Sequence, residues 1–173
     1  MARPRVSELE RLESILANLA RIVPDYPHEL ALLTRLSALL EKRAAEAVNE
    51  ALRPLELTYV LYNALMIIHA GDGGSAPSDI AELTGERPSN VTHICNHLQG
   101  LGLITRAPAR DDRRRIVIRL SAAGRRVLAR AQPLVWELWR RRFQDSSAQQ
   151  LSVLPQLLRS QIHNLSASAG GAP

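Results

Sequence analysis

Apolar residues recur along most of this chain with a helical period. Leu9, Leu12, Leu16, Leu19 and Val23 follow Ser7-Glu8-Leu9-Glu10, where Ser7 and Glu10 have the spacing of a capping box. This pattern predicts a helix that Pro24-Asp25-Tyr26-Pro27 breaks. A longer helix is predicted over residues 28–52: Leu30, Leu32, Leu33, Leu36, Leu39 and Leu40 give way to Glu41-Lys42-Arg43, and Pro54 marks the end. Thr58 is placed to cap a third helix through Ala70. After the loop Gly71-Asp72-Gly73-Gly74-Ser75, Pro77 opens a short helix for which Gly85 is the C-cap. Arg87-Pro88-Ser89 opens another, running to about Gln99 and stopped by Gly100-Leu101-Gly102.

The pattern then becomes extended. Leu103-Ile104-Thr105-Arg106 and Arg115-Ile116-Val117-Ile118-Arg119-Leu120 predict two strands, the second rich in β-branched residues, joined by a polar tip over 107–114. Ser121 caps a long helix over 122–143, bent at Pro133. Ser147 and Gln150 form a second capping box, which opens a last helix carrying Leu151, Leu154, Leu157, Leu158, Ile162 and Leu165, with a kink at Pro155. The small, polar stretch 166–173 reads as a disordered tail. There are no tandem repeats. From Pro77 to Leu120 the order is short helix, turn, helix, strand, hairpin, strand. That is the layout of a winged helix-turn-helix, so the predicted fold is mainly α with a small β-wing.

Composition adds limits. The 173 residues suffice for one domain with a sizeable core. With only 3% aromatics, Leu, Ile, Val and Ala must fill it. No stretch approaches the ~20 apolar residues of a membrane span. The longest candidate, 59–68, is interrupted by Asn63 and reads as a buried helix. The basic start, Met1-Ala2-Arg3-Pro4-Arg5, has no apolar segment behind it, so no signal peptide is expected. One cysteine, Cys95, allows no intrachain disulfide. These features fit a cytoplasmic protein with no membrane partner.

Charge locates the candidate chemistry. The chain carries a net +5, but between Arg87 and Arg130 stand ten Arg against two Asp, a local net of +8. A basic middle between mildly acidic ends is the footprint of a phosphate-binding surface, although a solvated arginine face would look alike from composition alone. Two motifs favour the first reading. In the helix after Pro88, Val91, Ile94, Cys95 and Leu98 form an apolar stripe, and Ser89, Thr92, His93 and Asn96 form the opposite one. An ordinary surface helix carries Glu and Lys outward; short uncharged donors and acceptors suit base edges in a major groove. The helix start, Pro88, Ser89 and Asn90, can direct backbone N–H groups at a phosphate. On the hairpin, Arg110, Arg113 and Arg114, with Asp112 to hold the fork, suit the narrow minor groove.

The segments Pro88-Ser89-Asn90-Val91-Thr92-His93-Ile94 through Gly102-Leu103-Ile104, and Asp112-Arg113-Arg114-Arg115 through Leu120-Ser121-Ala122-Ala123-Gly124, resemble the recognition helix and wing of the MarR family. The resemblance spans roughly residues 28–165. Within the family, the stretch Asp25-Tyr26-Pro27-His28-Glu29-Leu30 and onward to Leu36 is similar to EmrR/MprA-type repressors of multidrug efflux. It implies one MarR-type domain over 1–173, with dimerization helices at 7–57 and 121–165 around a winged helix at 58–120. It also implies a homodimer on double-stranded DNA with a pseudo-palindromic operator, released by a small aromatic or phenolic effector, and it puts the wing's Asp–Arg pair at Asp112 and Arg114. Effector candidates are Arg35, which can pair a carboxylate, and Tyr59, Tyr62 and Asn63, which can stack or hydrogen-bond; core packing is the competing role. The helix before Pro24 is an addition to the minimal family core, and no cysteine matches that of the peroxide-sensing branch.

Other classes fit less well. His93 and His97 have an i, i+4 spacing, with Cys95 and His69 as possible company, but His93 lies on the reading stripe and Cys95 on the apolar one, so no metal or cofactor is expected. No phosphate loop, nucleophile elbow or zinc-protease motif is present, so no enzyme is expected. Two alternatives stay open: a regulator of an aromatic-compound catabolic operon, and a helical protein–protein adaptor with an incidental basic patch.

Overall fold

Leu52, Leu65, Ile80, Leu98 and Ile118 come from five separate elements, and none retains solvent exposure. They mark the core of a computed structural model that describes residues 7–71, 74–108 and 115–169. The elements in order are α1 (Glu8–Ile22), α2 (His28–Leu52), a 3-10 turn (Arg53–Leu55), α3 (Tyr59–Ala70), α4 (Pro77–Thr84), α5 (Pro88–Gly100), β1 (Ile104–Pro108), β2 (Ile116–Leu120), α6 (Ala122–Arg142) and α7 (Ala148–Ala169). The architecture is mainly α with one two-stranded antiparallel sheet. No described helix is long and apolar enough to cross a membrane.

Local chemistry explains the boundaries. Ser7 Oγ accepts from the Glu10 N–H while the Glu10 carboxylate accepts from the Ser7 N–H, which completes the first capping box. Thr58 Oγ1 accepts from the Leu61 N–H to start α3. Asp79 accepts from the Ala76 N–H across the first turn of α4, which closes at Gly85 in the left-handed conformation. Ser147 and Gln150 reciprocate as Ser7 and Glu10 do. α1 and α2 form an antiparallel hairpin in which Leu16 is buried. Glu8 reaches both Lys42 and Arg43 across it, and the Lys42 hydrogen bond is the largest influence holding the Glu8 carboxyl below its ordinary range.

The strands differ from their predicted limits. β1 begins one residue late, because Leu103 closes the turn after α5 instead: its N–H donates to the Leu98 carbonyl, and its carbonyl accepts from the Ser121 N–H. β1 then runs on through Ala107 and Pro108, which were expected in the hairpin tip; proline is tolerated on a sheet edge, where no ladder donor is needed. The pairing sets Ile104 opposite Leu120 and Arg106 opposite Ile118. Ser75 bridges Ile118 through two backbone hydrogen bonds, adding a one-residue third strand beside β2. α3, α4 and α5 pack on one another and α3 and α4 on β2, giving the winged-helix arrangement.

The chain divides into two compact units, 1–132 and 133–173, and the division falls inside α6 at Pro133. α1 and α2 therefore belong with the winged helix, since Val48 and Leu52 of α2 are part of its core. α7 continues to Ala169, past Ser166 where the tail was expected to begin.

Candidate nucleic-acid interface

α5 separates its two faces cleanly. Val91, Ile94, Cys95 and Leu98 are buried, while Pro88, Ser89, Asn90, Thr92, His93 and Asn96 are exposed. The outward face holds no charged carboxylate or ammonium, and the helix has no acidic residue in its first turn. Arg87 is the N-cap and gives no side-chain capping bond, and Pro88 has no N–H, so the Ser89 and Asn90 amides are open to a phosphate.

Three of the exposed side chains are already oriented. Asn90 Nδ2 donates to Glu86 Oε2 at 2.5 Å, just ahead of the helix. Thr92 Oγ1 donates to the Pro88 carbonyl at 3.1 Å, which leaves its lone pairs and methyl group outward. Asn96 Oδ1 accepts from the Arg106 guanidinium at 2.8 Å, so β1 braces the middle of α5. Sequence reasoning missed Glu86 and Arg106 as supporting residues. The Glu86–Asn90 spacing of i, i+4 across the helix start was a usable signal; Arg106 had none, because its reach depends on strand register.

Arg110, Asp112, Arg113 and Arg114 lie outside the described residues. The base of the wing is described. Ile118 and Leu120 are buried, and Ser121 ties the base to α6 by donating to the Gly102 carbonyl at 2.7 Å and accepting from the Gly124 N–H at 2.9 Å.

The remaining sequence candidates scatter. His93 and His97 face solvent whereas Cys95 points into the core, so their helical spacing does not converge on one point. Burial pushes the Cys95 thiol up, with neighbouring Arg106 opposing it. Of the effector candidates, Tyr62 is 1% exposed, and its hydroxyl, buried, has no partner among the described residues. Tyr59 and Asn63 are half-buried, and the Tyr59 N–H donates to Asn49 Oδ1 at 2.7 Å. Arg35 is exposed and stands fourteen residues before Asn49 on α2, about 21 Å along a straight helix.

Comparisons with known proteins agree with this geometry. A model described as the MarR family matches residues 56–115. The chain is 27% identical to the transcriptional repressor MprA of Escherichia coli K12, over 73% of each chain. Its fold is similar to that of CouR from Rhodococcus jostii RHA1 bound to p-coumaroyl-CoA, with a TM-score of 0.66 and 26% identity over 75% of this chain and 88% of that one. It is also similar to a MarR variant from E. coli complexed with operator DNA, with a TM-score of 0.67 and 21% identity over 82% and 96% of the two chains. The buried and exposed stripes of α5, the braced wing base and these likenesses agree: residues 56–115 match the MarR family within a winged-helix fold, and the chain resembles DNA-binding transcriptional regulators of that family.

Proposed function

We propose that the protein is a repressor that binds a pseudo-palindromic operator as a homodimer. α5 enters the major groove with Ser89, Thr92, His93 and Asn96 toward the bases, while Pro88, Ser89 and Asn90 set its start against a phosphate. Arg110, Arg113 and Arg114, supported by Asp112, take the adjoining minor groove. The observation that carries this reading is the uncharged, hydrogen-bonding outer face of α5 opposite a fully buried one.

Pairing of two copies through the terminal helices is supported by their unburied apolar faces. α7 has no buried residue among those described, yet Leu151, Leu154, Leu157, Leu158, Ile162 and Leu165 line it. Leu30, Leu33 and Leu40 of α2 are likewise exposed. Covering such faces by a second copy is the simplest way to remove them from water. The division of roles is therefore dimerization by residues 7–57 and 121–165 and DNA binding by 58–120.

For the effector, the buried Tyr62 hydroxyl, with Tyr59 and Asn63 near it in sequence, supports a small phenolic or aromatic ligand. An effector that binds one spacing of the two DNA-binding lobes better than the other releases the operator. MprA likeness favours control of multidrug efflux or stress genes; the p-coumaroyl-CoA bound by CouR favours an aromatic-compound operon as the second reading.

The test is a salt titration of operator and random duplex binding. A regulator gives a steep log–log slope and a specific complex that survives, and Arg114→Ala makes the slope shallower by about 0.9 per lost phosphate contact while leaving the dimer intact. A slope near zero for the full chain overturns the reading in favour of an adaptor with an incidental basic patch.

A further inference from the structure

A cleft of about 220 Å³ opens beside the end of α3 and the base of the wing, with Ile68 and Leu120 as its apolar lining and His69, Arg119, Arg125, Gly71 and Gly74 as the rest. His69, Arg119 and Arg125 line it from three different elements, and no acidic residue lines it among the described residues. α6, which supplies Arg125, has no acidic residue in its first turn.

The two arginines are held in different ways. Arg119 pairs with Thr105 across the sheet, one position along from buried Ile118, so it stands on the sheet face opposite the core. Its guanidinium has no hydrogen-bond or ion-pair partner among the described residues. Its stem lies across Gly74, whose φ is +111°. A Cβ at that position would stand 2.8 Å from Arg119 Cγ and 2.5 Å from Val117 Cγ1, so only glycine lets the arginine lie there. Arg125 donates one guanidinium nitrogen to the Leu120 carbonyl at 2.9 Å, which fixes the side chain and leaves the rest of its fork of donors.

We propose that this cleft binds a phosphate group, gripped by the Arg119 and Arg125 guanidinium forks with His69 at its rim. Two arginines lining one small cleft suit the oxygens of a phosphate, which guanidinium groups bind by paired, charge-assisted hydrogen bonds. The group can come from a free phosphorylated small molecule or from a duplex backbone. The site does not depend on α5 reading bases.

The experiment titrates the full, DNA-free protein with inorganic phosphate and follows backbone amide shifts, with potassium chloride of matched ionic strength as control. Saturable shifts centred on Gly71, Gly74, Arg119 and Arg125 are expected, with binding about tenfold weaker in Arg119→Gln, intermediate in Arg119→Lys and mildly weaker in His69→Gln. Salt titration of duplex binding then separates the sources. A free ligand leaves the slope of Arg119→Gln unchanged, whereas a backbone phosphate lowers it by about 0.9. Shifts that follow ionic strength alone, or that persist at full strength in Arg119→Gln, together with an unchanged slope, overturn the proposal.

Discussion

The Arg106 guanidinium donates to the Asn96 side-chain oxygen across 2.8 Å, joining the first strand of the wing to the exposed stripe of α5. With its oxygen engaged, the Asn96 amide has its two N–H donors left to offer outward. A recognition helix that reads bases needs side chains whose rotamers are fixed before DNA arrives, because ordering them on binding costs affinity. Loss of this brace should therefore cost recognition more than folding. We expect Arg106→Ala to weaken operator binding by about 1 kcal/mol, with a smaller loss on random duplex and little change in thermal stability. Competition anisotropy on both duplexes checks this; equal losses would mean that Arg106 acts only as a positive charge.

Thr92 and His93 sit at the centre of the same stripe, and both are exposed. Thr92 commits its hydroxyl proton to the Pro88 carbonyl, so it meets DNA through lone pairs and a methyl group. Thr92→Ala and His93→Ala should each narrow the gap between operator and random duplex by ~1–3 kcal/mol. Measured affinities that fall in parallel on both duplexes would remove these residues from base reading.

Gly124 holds the wing base against α6 by close approach. A Cβ there would stand 2.0 Å from the Leu103 carbonyl oxygen, which is backbone and also accepts the Ser121 N–H. Gly124→Ala must push the start of α6 away from the end of α5, and the expected cost is about 1–3 kcal/mol of stability. A lowered melting temperature with weaker DNA binding is the outcome to look for; an unchanged melt would show that the helix start can move freely.

Tyr62 gives the opposite sign. Its hydroxyl is buried without a partner, and burial, with a smaller contribution from Tyr59, pushes its ionisation above the ordinary 10.0, so it stays neutral. Removing an unsatisfied buried hydroxyl should raise stability, by about 1 kcal/mol for Tyr62→Phe. If the hydroxyl is kept for an effector, the same variant should hold its operator normally yet respond more weakly to phenolic inducers. A destabilised variant would mean that the hydroxyl has a partner, such as an ordered water.

Much of this was legible in the chain because helix ends are written locally. Ser7, Thr58 and Ser147 each accept from an amide three residues on, and Pro77 and Gly85 act through their own backbone conformation, so the helix ends follow from short motifs. Burial of Val91, Ile94, Cys95 and Leu98 followed from the 3.6-residue period for the same reason. What was not legible depends on register and reach across the fold. The Ser75–Ile118 bridge, the Arg106–Asn96 bond and the meeting of His69, Arg119 and Arg125 each join residues that no local pattern relates.

The most direct test is selection of bound sequences from a random duplex pool by the full-length protein. Two copies that each place α5 in a major groove should enrich a pseudo-palindrome whose half-sites are centred about one helical turn apart, ~34 Å along the DNA. Enrichment of a single asymmetric half-site, or no enrichment at all, would contradict it.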